Sequence, residues 1–235
     1  MSRLETLFWV ALPYLCLATF VVGHVWRYRR DQFTWTARST QLLERKLLLV
    51  GSTLFHAGIL LAIGGHVLGI LVPRSATERV GISDDAYHWL ALTGGLVAAA
   101  LVGAGIAMLL YRRLAVPRVA ATTLRSDRLL YPLLLVVIGS GIAATIDTMI
   151  DRYGYRETVS PWFRGIVTLH PDGSLLVGAP FVFQLHVVTA WLLFAAWPFT
   201  RLVHMWSVPV TYLGRAPILY RSRTARSARR ETTSR

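Results

Sequence analysis

Hydrophobic residues occur along this chain in long blocks, which are separated by short polar and basic stretches. Five windows carry almost no charge over about twenty residues, the length that an α-helix needs to cross a bilayer. These windows cover residues 6–25, 47–71, 89–111, 129–146 and 179–203. The pattern predicts an all-α membrane protein with five transmembrane helices, which we number as spans one to five.

The connections between the spans leave no room for a separate soluble domain, because the longest covers only residues 147–178. We therefore predict one five-helix membrane domain over residues 1–219, followed by a basic, disordered cytoplasmic tail over residues 220–235. Aromatic residues in the 147–178 segment, including Trp162, predict an aromatic belt at the membrane interface.

Basic residues are distributed unevenly between the two sides of the predicted bundle. The chain carries 25 lysine and arginine residues and a net charge of +13. With the N-terminus outside, 19 of the 25 fall on the inside, and six remain outside: Arg3, Arg74, Arg79, Arg152, Arg156 and Arg164. Cytoplasmic loops carry the excess of basic residues, so the N-terminus is predicted outside and the C-terminus in the cytoplasm. Topology and a basic face for lipid or a partner explain the charge without nucleic-acid binding.

The hydrophobic composition, the arginine cluster after span one and the single cysteine exclude several classes of function. The chain is 54% hydrophobic. Arg27, Arg29 and Arg30 follow span one directly, so we interpret this span as an uncleaved anchor and not as a signal peptide. The one cysteine, Cys16, forms neither a disulfide within the chain nor a CxxC motif. Iron–sulfur or molybdenum chemistry must therefore belong to another subunit.

Four histidines lie inside two of the predicted spans, His56 and His66 in span two and His186 and His204 in span five. Histidine is costly in hydrocarbon, so its presence within a span indicates a function. Span two runs from the inside to the outside, and span five runs in the opposite direction. Antiparallel packing therefore pairs His66 with His186 near the outer face and His56 with His204 near the cytoplasmic face.

The spacing of the histidines favours two separate sites. On a straight α-helix, His56 and His66 are separated by a rise of about 15 Å and an angle of about 80°. His186 and His204 are five turns and about 27 Å apart, on one face. Two pairs at separate depths favour axial ligation of two tilted haems in a membrane cytochrome b. A zinc site would need three or four ligands that converge on one ion.

Other interpretations of these histidines stay open. A histidine within a span is often simply hydrogen-bonded to a neighbouring helix. His24, at the end of span one, is expected in an interfacial polar role, and His170 is expected in solvent. A small transporter or channel also needs polar residues within its spans, but the sequence shows none of the broken helices or inverted repeats of that class. A structural anchor without haem is a further alternative.

Glycines and arginines near the histidines are weaker candidates. Gly64 and Gly65 stand directly before His66, where they either leave room for a flat macrocycle or allow close helix packing. Three arginines near the inner ends of the spans are candidates for contact with haem propionates, although the positive-inside rule explains them equally well. They are Arg112, Arg113 and Arg201.

Several stretches of the chain resemble the gamma subunit of membrane-bound respiratory nitrate reductase, a dihaem cytochrome b. They cover roughly half the chain and include all four histidines. The stretches are WRYRRDQFTWTARSTQLLERK after span one, LFHAGILLAIGGHVLGILVP through span two, YRRLAVPRVAATT after span three and FQLHVVTAWLLFAAWPFTRLVHMWSVPVTYL through span five.

The resemblance implies two haem b groups. It implies that His66 and His186 ligate the distal haem and that His56 and His204 ligate the proximal haem. It also implies an iron–sulfur beta subunit and a molybdenum-containing alpha subunit as partners, in the bacterial cytoplasmic membrane.

The resemblance further implies quinol oxidation near the distal haem. Gly65 and His66 match the quinol site of the family, but the lysine expected just before span three is absent. Ala86, Tyr87 and His88 stand there instead. His88 is the candidate for the missing polar role, and a different quinol site is the alternative.

The sequence thus predicts a membrane anchor that oxidises quinol and passes electrons through two haems to an iron–sulfur subunit of a quinol:nitrate oxidoreductase. The nitrate-reducing site is expected in another subunit. The haem b subunit of a different reductase, such as one that acts on a sulfur compound, is the alternative within this class.

Overall fold

The computed structural model describes residues 1–151, 153–207 and 214, so the predicted tail at 220–235 lies outside the described residues. Within them the chain forms helices and no strand. Five helices are long and apolar enough to cross a membrane: Arg3–Thr34, Lys46–Leu71, Asp84–Ala115, Arg125–Ile150 and Phe181–Phe199. The all-α class and the five candidate spans are confirmed.

The two ends of the helix bundle need neutral names, because the side of the membrane on which each lies stays a prediction. The N-terminal end comprises residues 1–2, 72–83 and 153–180. The C-terminal end comprises residues 35–45, 116–124 and 200–207. Spans one, three and four run several residues beyond their hydrophobic windows, because helix caps and charged turns continue them. Span three, for example, begins behind Ser83, whose hydroxyl accepts from the Ala86 N–H at 3.2 Å.

The spans pack in the order two, three, four, five and one. Spans two and three approach most closely at two glycines. A Cβ on Gly58 would lie 2.7 Å from the nitrogen of Val102, and a Cβ on Gly105 would lie 2.5 Å from the nitrogen of Phe55. Spans two and five are not among the principal packing partners. The histidine-bearing segments of spans two and five nevertheless face each other, with paired ring centroids about 6 Å apart. We call the space between these two spans the seam.

Span five does not continue as one α-helix to His204. Its α-helix ends at Ala196, a 3₁₀ turn follows at Trp197–Phe199, and Thr200 is extended. Pro198 has no N–H to donate to the helix, which favours a break at this point. A second 3₁₀ segment, Arg201–Ser207, then carries His204. The expected rise of about 27 Å between His186 and His204 was therefore wrong, since it assumed one straight helix.

Span two ends in a different irregularity. Directly after His66, the helix widens into a π-helical turn at Val67–Leu71. Its last carbonyls need hydrogen-bond donors from outside the helix. Ser160 Oγ donates to the Gly69 carbonyl at 2.8 Å, and an Arg164 nitrogen donates to the Ile70 carbonyl at 2.8 Å. The segment after span four therefore holds the end of span two.

That segment is part of the core and not an interfacial belt. It forms a helix at Val159–Val167, in which Trp162 and Ile166 are each only 1% exposed. The indole N–H of Trp162 donates to the Trp9 carbonyl at 2.8 Å. The prediction of an aromatic belt was wrong for Trp162, because its apolar ring lies on the buried face of an amphipathic helix.

Candidate functional site

The four intramembrane histidines come together in two pairs. The ring centroids of His66 and His186 are 5.9 Å apart, and the planes of the rings differ by 34°. The ring centroids of His56 and His204 are 6.1 Å apart, and their planes differ by 75°. These are the pairs that antiparallel spans lead one to expect. Their role as metal ligands stays a prediction.

Both separations fit two imidazoles on opposite sides of one metal ion. A bond from an imidazole nitrogen to a metal is about 2.0 Å, and the radius of each ring places the two centroids about 6 Å apart. Residues 1–151 and 153–207 hold no group of three or more histidine, cysteine, aspartate or glutamate side chains that could bind an ion. Each site therefore offers two ligands, which suits a haem iron better than zinc.

All four histidines present the same ring nitrogen to a backbone carbonyl. The Nδ1 atoms of His56 and His66 lie 2.8 and 2.7 Å from the carbonyls of Ser52 and Ala62, one helical turn earlier. A carbonyl only accepts hydrogen bonds, so each Nδ1 carries the proton. The Nε2 atom is then left with its lone pair, which is the arrangement of a metal-ligating histidine.

The other two histidines follow the same rule with different partners. His186 Nδ1 donates to the Val137 carbonyl of span four at 3.0 Å, and the Ser140 hydroxyl lies 3.3 Å from the same nitrogen. His204 Nδ1 donates to the Arg201 carbonyl at 2.6 Å. Span four thus orients the ring of His186, and the 3₁₀ turn orients the ring of His204.

Gly141 on span four leaves the space that the ring of His186 occupies, whereas Gly139 points to the other side of the same helix. A Cβ on Gly141 would lie only 2.9 Å from the His186 Cε1 atom. A Cβ on Gly139 would meet no atom within 4 Å. Gly64 and Gly65, beside His66, also face open space by this measure. A flat group between the paired rings would fit against the backbone at Gly64 and Gly65.

The segment that carries His204 is clamped by two arginines that the sequence did not single out for this role. Arg27 donates to the carbonyls of Pro198 and Thr200 at 2.6 and 2.8 Å, which satisfies the broken backbone of span five. Arg201 makes a two-pronged ion pair with Asp127, with nitrogen–oxygen distances of 2.7 and 2.5 Å. Asp127 is fully buried.

The other two propionate candidates are also engaged with protein groups. Arg112 is 2% exposed and donates to the carboxylate of Glu44 at 2.6 Å and to the carbonyl of Thr40 at 2.9 Å. Burial raises the pKa of Glu44, but hydrogen bonds from the Leu47 N–H and from Arg112 outweigh it and hold the pKa below its usual value. Arg113 donates to the Val119 carbonyl at 3.1 Å. Contact of these arginines with a haem stays a prediction.

A polar cluster at the N-terminal end contacts span two one turn beyond His66. The hydroxyls of Tyr87 and Tyr155 are 3.2 Å apart, and both lie close to Gly69. The Arg156 guanidinium stacks over the Tyr87 ring at 3.7 Å, and its Nε and Nη1 atoms are buried without a hydrogen-bond partner. Burial, followed by the bond with Tyr87, raises the pKa of Tyr155, so its hydroxyl stays protonated.

His88, the sequence candidate for the quinol site, is half-buried, and its ring contacts Trp89 at 5.8 Å. The neighbouring Tyr87 is the residue that reaches span two. Successive residues of a helix point about 100° apart, so the hydropathy of the helix start does not reveal which one turns inward.

The two remaining histidines have local roles. His24 Nδ1 donates to the Phe20 carbonyl at 2.7 Å, and its Nε2 accepts from the Trp206 indole at 3.1 Å. Both nitrogens of His24 are therefore engaged. His170 is exposed, and its Nδ1 lies 2.8 Å from the Thr168 carbonyl.

Fold and site together define a helical protein with five candidate membrane spans and two facing histidine pairs between spans two and five. The chain belongs to the nitrate reductase gamma subunit family, because the sequence pattern of that family matches residues 5–223. The resemblance seen in the sequence is thereby confirmed.

Curated relatives cover nearly all of the chain. The nitrate reductase gamma chain of Bacillus subtilis is 46% identical over 92% of this chain and 97% of its own length. The respiratory nitrate reductase 1 gamma chain of Escherichia coli is 38% identical over 95% of this chain and 100% of its own length. A nitrate reductase-like protein of Mycobacterium tuberculosis is 44% identical over 92% of this chain, which matches 34% of that longer protein.

Proposed function

We propose that this chain is the dihaem, quinol-oxidising membrane subunit of a respiratory nitrate reductase. One observation carries the proposal: four histidines form two facing pairs at centroid separations of 5.9 and 6.1 Å, each with Nδ1 on a carbonyl. His66 and His186 would hold the distal haem b, and His56 and His204 would hold the proximal one. A bound haem iron accepts and donates single electrons.

The protein contributes ligation, orientation and exclusion of water. The carbonyl bonds fix each imidazole in the tautomer that leaves Nε2 available and increase its basicity as a ligand. The apolar helices around the pairs set a low local dielectric, which is one of the means by which a protein adjusts a reduction potential. His56 and His66 lie at different depths along span two. The two haems would therefore form a path from one end of the bundle to the other.

The electron donor is proposed to be a quinol at the N-terminal end, which the charge distribution predicts on the outside. It would bind between residues 65–69 of span two and residues 86–88 of span three. Tyr87 and Tyr155 offer hydroxyls there, and His88 offers an imidazole nitrogen that can accept a proton. A quinol loses two protons with its two electrons, so a titratable acceptor at this end is useful.

The electron acceptor is proposed to lie at the C-terminal end. The relatives are named gamma chains, and this name implies that those proteins assemble with other subunits. We assign to this chain an iron–sulfur beta subunit as the immediate partner and a molybdenum-containing alpha subunit as the site of nitrate reduction. The complex would lie in the bacterial cytoplasmic membrane, with the acceptor near His56 and His204.

Visible spectra of single histidine variants test the haem sites. We expect the purified protein to show two b-type haems, and His66→Ala and His186→Ala to lose the same spectral component, about half of the haem absorbance. His56→Ala and His204→Ala should lose the other. His24→Ala is the matched control within a span and should keep both. Loss of one shared component in His66→Ala and His204→Ala would contradict the pairing.

The quinol site is tested separately by His88→Leu. Quinol-driven haem reduction should slow by about a hundredfold, the lower end of the range for loss of an acid–base group. Both haem spectra and reduction by dithionite should be unchanged. His170→Leu, an exposed histidine at the same end, is the control. Quinol kinetics that match the control would remove His88 from the site.

A further inference from the structure

An apolar groove runs along the membrane-facing side of span one near the C-terminal end. Its volume is about 410 Å³, and its lining is almost entirely apolar. The residues that line it are Ala18, Thr19, Val22, Gly23, Trp26 and Phe199. Span one packs closely on the broken end of span five here, because a Cβ on Gly23 would lie 2.7 Å from Pro198. The two walls of the groove, span one and the broken end of span five, are therefore in direct contact.

A basic pocket of about 290 Å³ adjoins the groove and shares Trp26 and Phe199 with it. Four arginines line this pocket against one acidic residue, Asp31. The arginines are Arg27, Arg30, Arg38 and Arg201. The groove is apolar and the adjoining pocket is cationic, and Trp26 and Phe199 lie between them; we call the two together the cleft.

The four arginines divide into two kinds. Arg27 and Arg201 give their N–H groups to protein oxygens and so form the wall of the pocket. Arg30 and Arg38 are exposed, and neither guanidinium donates to an acceptor in the part of the chain that the structure describes. Arg38 also has a φ of 51°, a left-handed conformation that is uncommon for a residue with a side chain. Backbone strain of this kind concentrates at ligand sites.

We propose that this cleft binds one anionic phospholipid, with its phosphate between Arg30 and Arg38 and an acyl chain along the groove. The two chemistries occur in the order that a phospholipid presents them. Trp26 lies at the junction, where tryptophan is enriched at membrane interfaces. This step rests on the proposed orientation, in which this end is cytoplasmic, since basic pockets between helices on that side suit anionic headgroups. A soluble anion would contact the arginines but not the groove, and a lipid without net charge would lack the charge that the arginines attract.

The test is a lipid titration of the full-length chain in its native complex, followed by native mass spectrometry. Dioleoylphosphatidylglycerol should bind at one high-affinity site, and dioleoylphosphatidylcholine, with the same acyl chains, should bind more weakly. Arg30→Gln with Arg38→Gln should weaken phosphatidylglycerol binding by about tenfold or more. The matched control, Arg118→Gln with Arg128→Gln, removes two exposed charges from the same face outside the cleft and should bind as the wild type does.

A second pair of variants tests the groove without changing the charge. Ala18→Phe fills the groove and should weaken phosphatidylglycerol binding, whereas Val21→Phe lies outside the groove on the same helix and should not. The haem spectra should be unchanged in all four variants, because none of the substituted residues hydrogen-bonds to a histidine of the two pairs. Equal weakening by both arginine pairs, equal affinity for the two lipids, or displacement of the lipid by millimolar inorganic phosphate would each overturn the proposal.

Discussion

Gly141 shows how the absence of one side chain positions a histidine. Its Cα faces the His186 ring so closely that a Cβ would lie 2.9 Å from Cε1. The ring is also held by the Val137 carbonyl and the Ser140 hydroxyl of the same helix. Span four therefore contacts the His186 ring at two neighbouring atoms, Nδ1 and Cε1.

Gly141→Ala should displace His186 and lower occupancy of the His66–His186 haem site. Overpacking of this kind costs about 1–3 kcal/mol. The haem spectrum and a redox titration of the purified variant should show one component reduced or shifted and the other unchanged. Gly139→Ala is the control on the same helix, because its Cβ has open space. The proposed environment would be contradicted by two intact haem components in Gly141→Ala.

Single residues also show where sequence reasoning ends. The four histidines and their pairing followed from hydropathy and from the alternation of spans. The carbonyl partners of Nδ1 did not, because a backbone acceptor leaves no signature in the side chains. Arg112 stands near the end of a span, which makes it a candidate for contact with a haem propionate, and this stays a prediction. Only the fold reveals that the loop containing Thr40 and Glu44 reaches its guanidinium.

At the scale of elements, the break in span five matters most. Mean hydropathy depends only on the side chains and stays high through Pro198, so it predicts one long helix. The backbone instead leaves the helix after Ala196 and resumes as the 3₁₀ segment at Arg201. Arg27 and Asp127, from spans one and four, hold the two sides of the break. The position of His204 therefore depends on three spans.

Asp127→Asn should loosen the segment that carries His204. It removes the charge that pairs with Arg201, whose side chain is only 17% exposed. A cost of about 2–3 kcal/mol is expected, below that of a fully buried pair. On heating, the absorbance of the His56–His204 haem should be lost at a lower temperature than in the wild type.

The control for this change lies at the opposite end of the bundle. Arg74 makes ion pairs with Glu78, Asp84 and Glu157, and its side chain is 44% exposed. Exposed pairs contribute little, so Arg74→Gln should leave the melting of that haem component nearly unchanged. Similar melting of both variants would show that the Asp127–Arg201 pair has no special role.

At the scale of the whole molecule, charge predicts orientation. Of the 25 basic residues, 19 fall on the side that holds the C-terminus if the five spans alternate. The positive-inside rule then assigns the His56–His204 pair to the cytoplasmic side and the His66–His186 pair to the outer side. Packing within the bundle is the same in either orientation, so the fold alone does not decide this.

Reporter fusions in cells test the orientation. A reporter that is active only in the cytoplasm should be active when fused after Arg235 and inactive when fused before Met1. A reporter that requires export should give the opposite pattern. The reverse result for both reporters would place the quinol site on the cytoplasmic side and exchange the roles of the two haems.

The seam between spans two and five has a consequence for how the protein is made. A ribosome delivers His56 and His66 long before His186 and His204, which are separated from them by more than a hundred residues. Neither pair exists until the last span has entered the membrane and packed against span four. If the proposed function holds, haem is expected to be captured only after this step, because a truncated chain would offer one histidine per site.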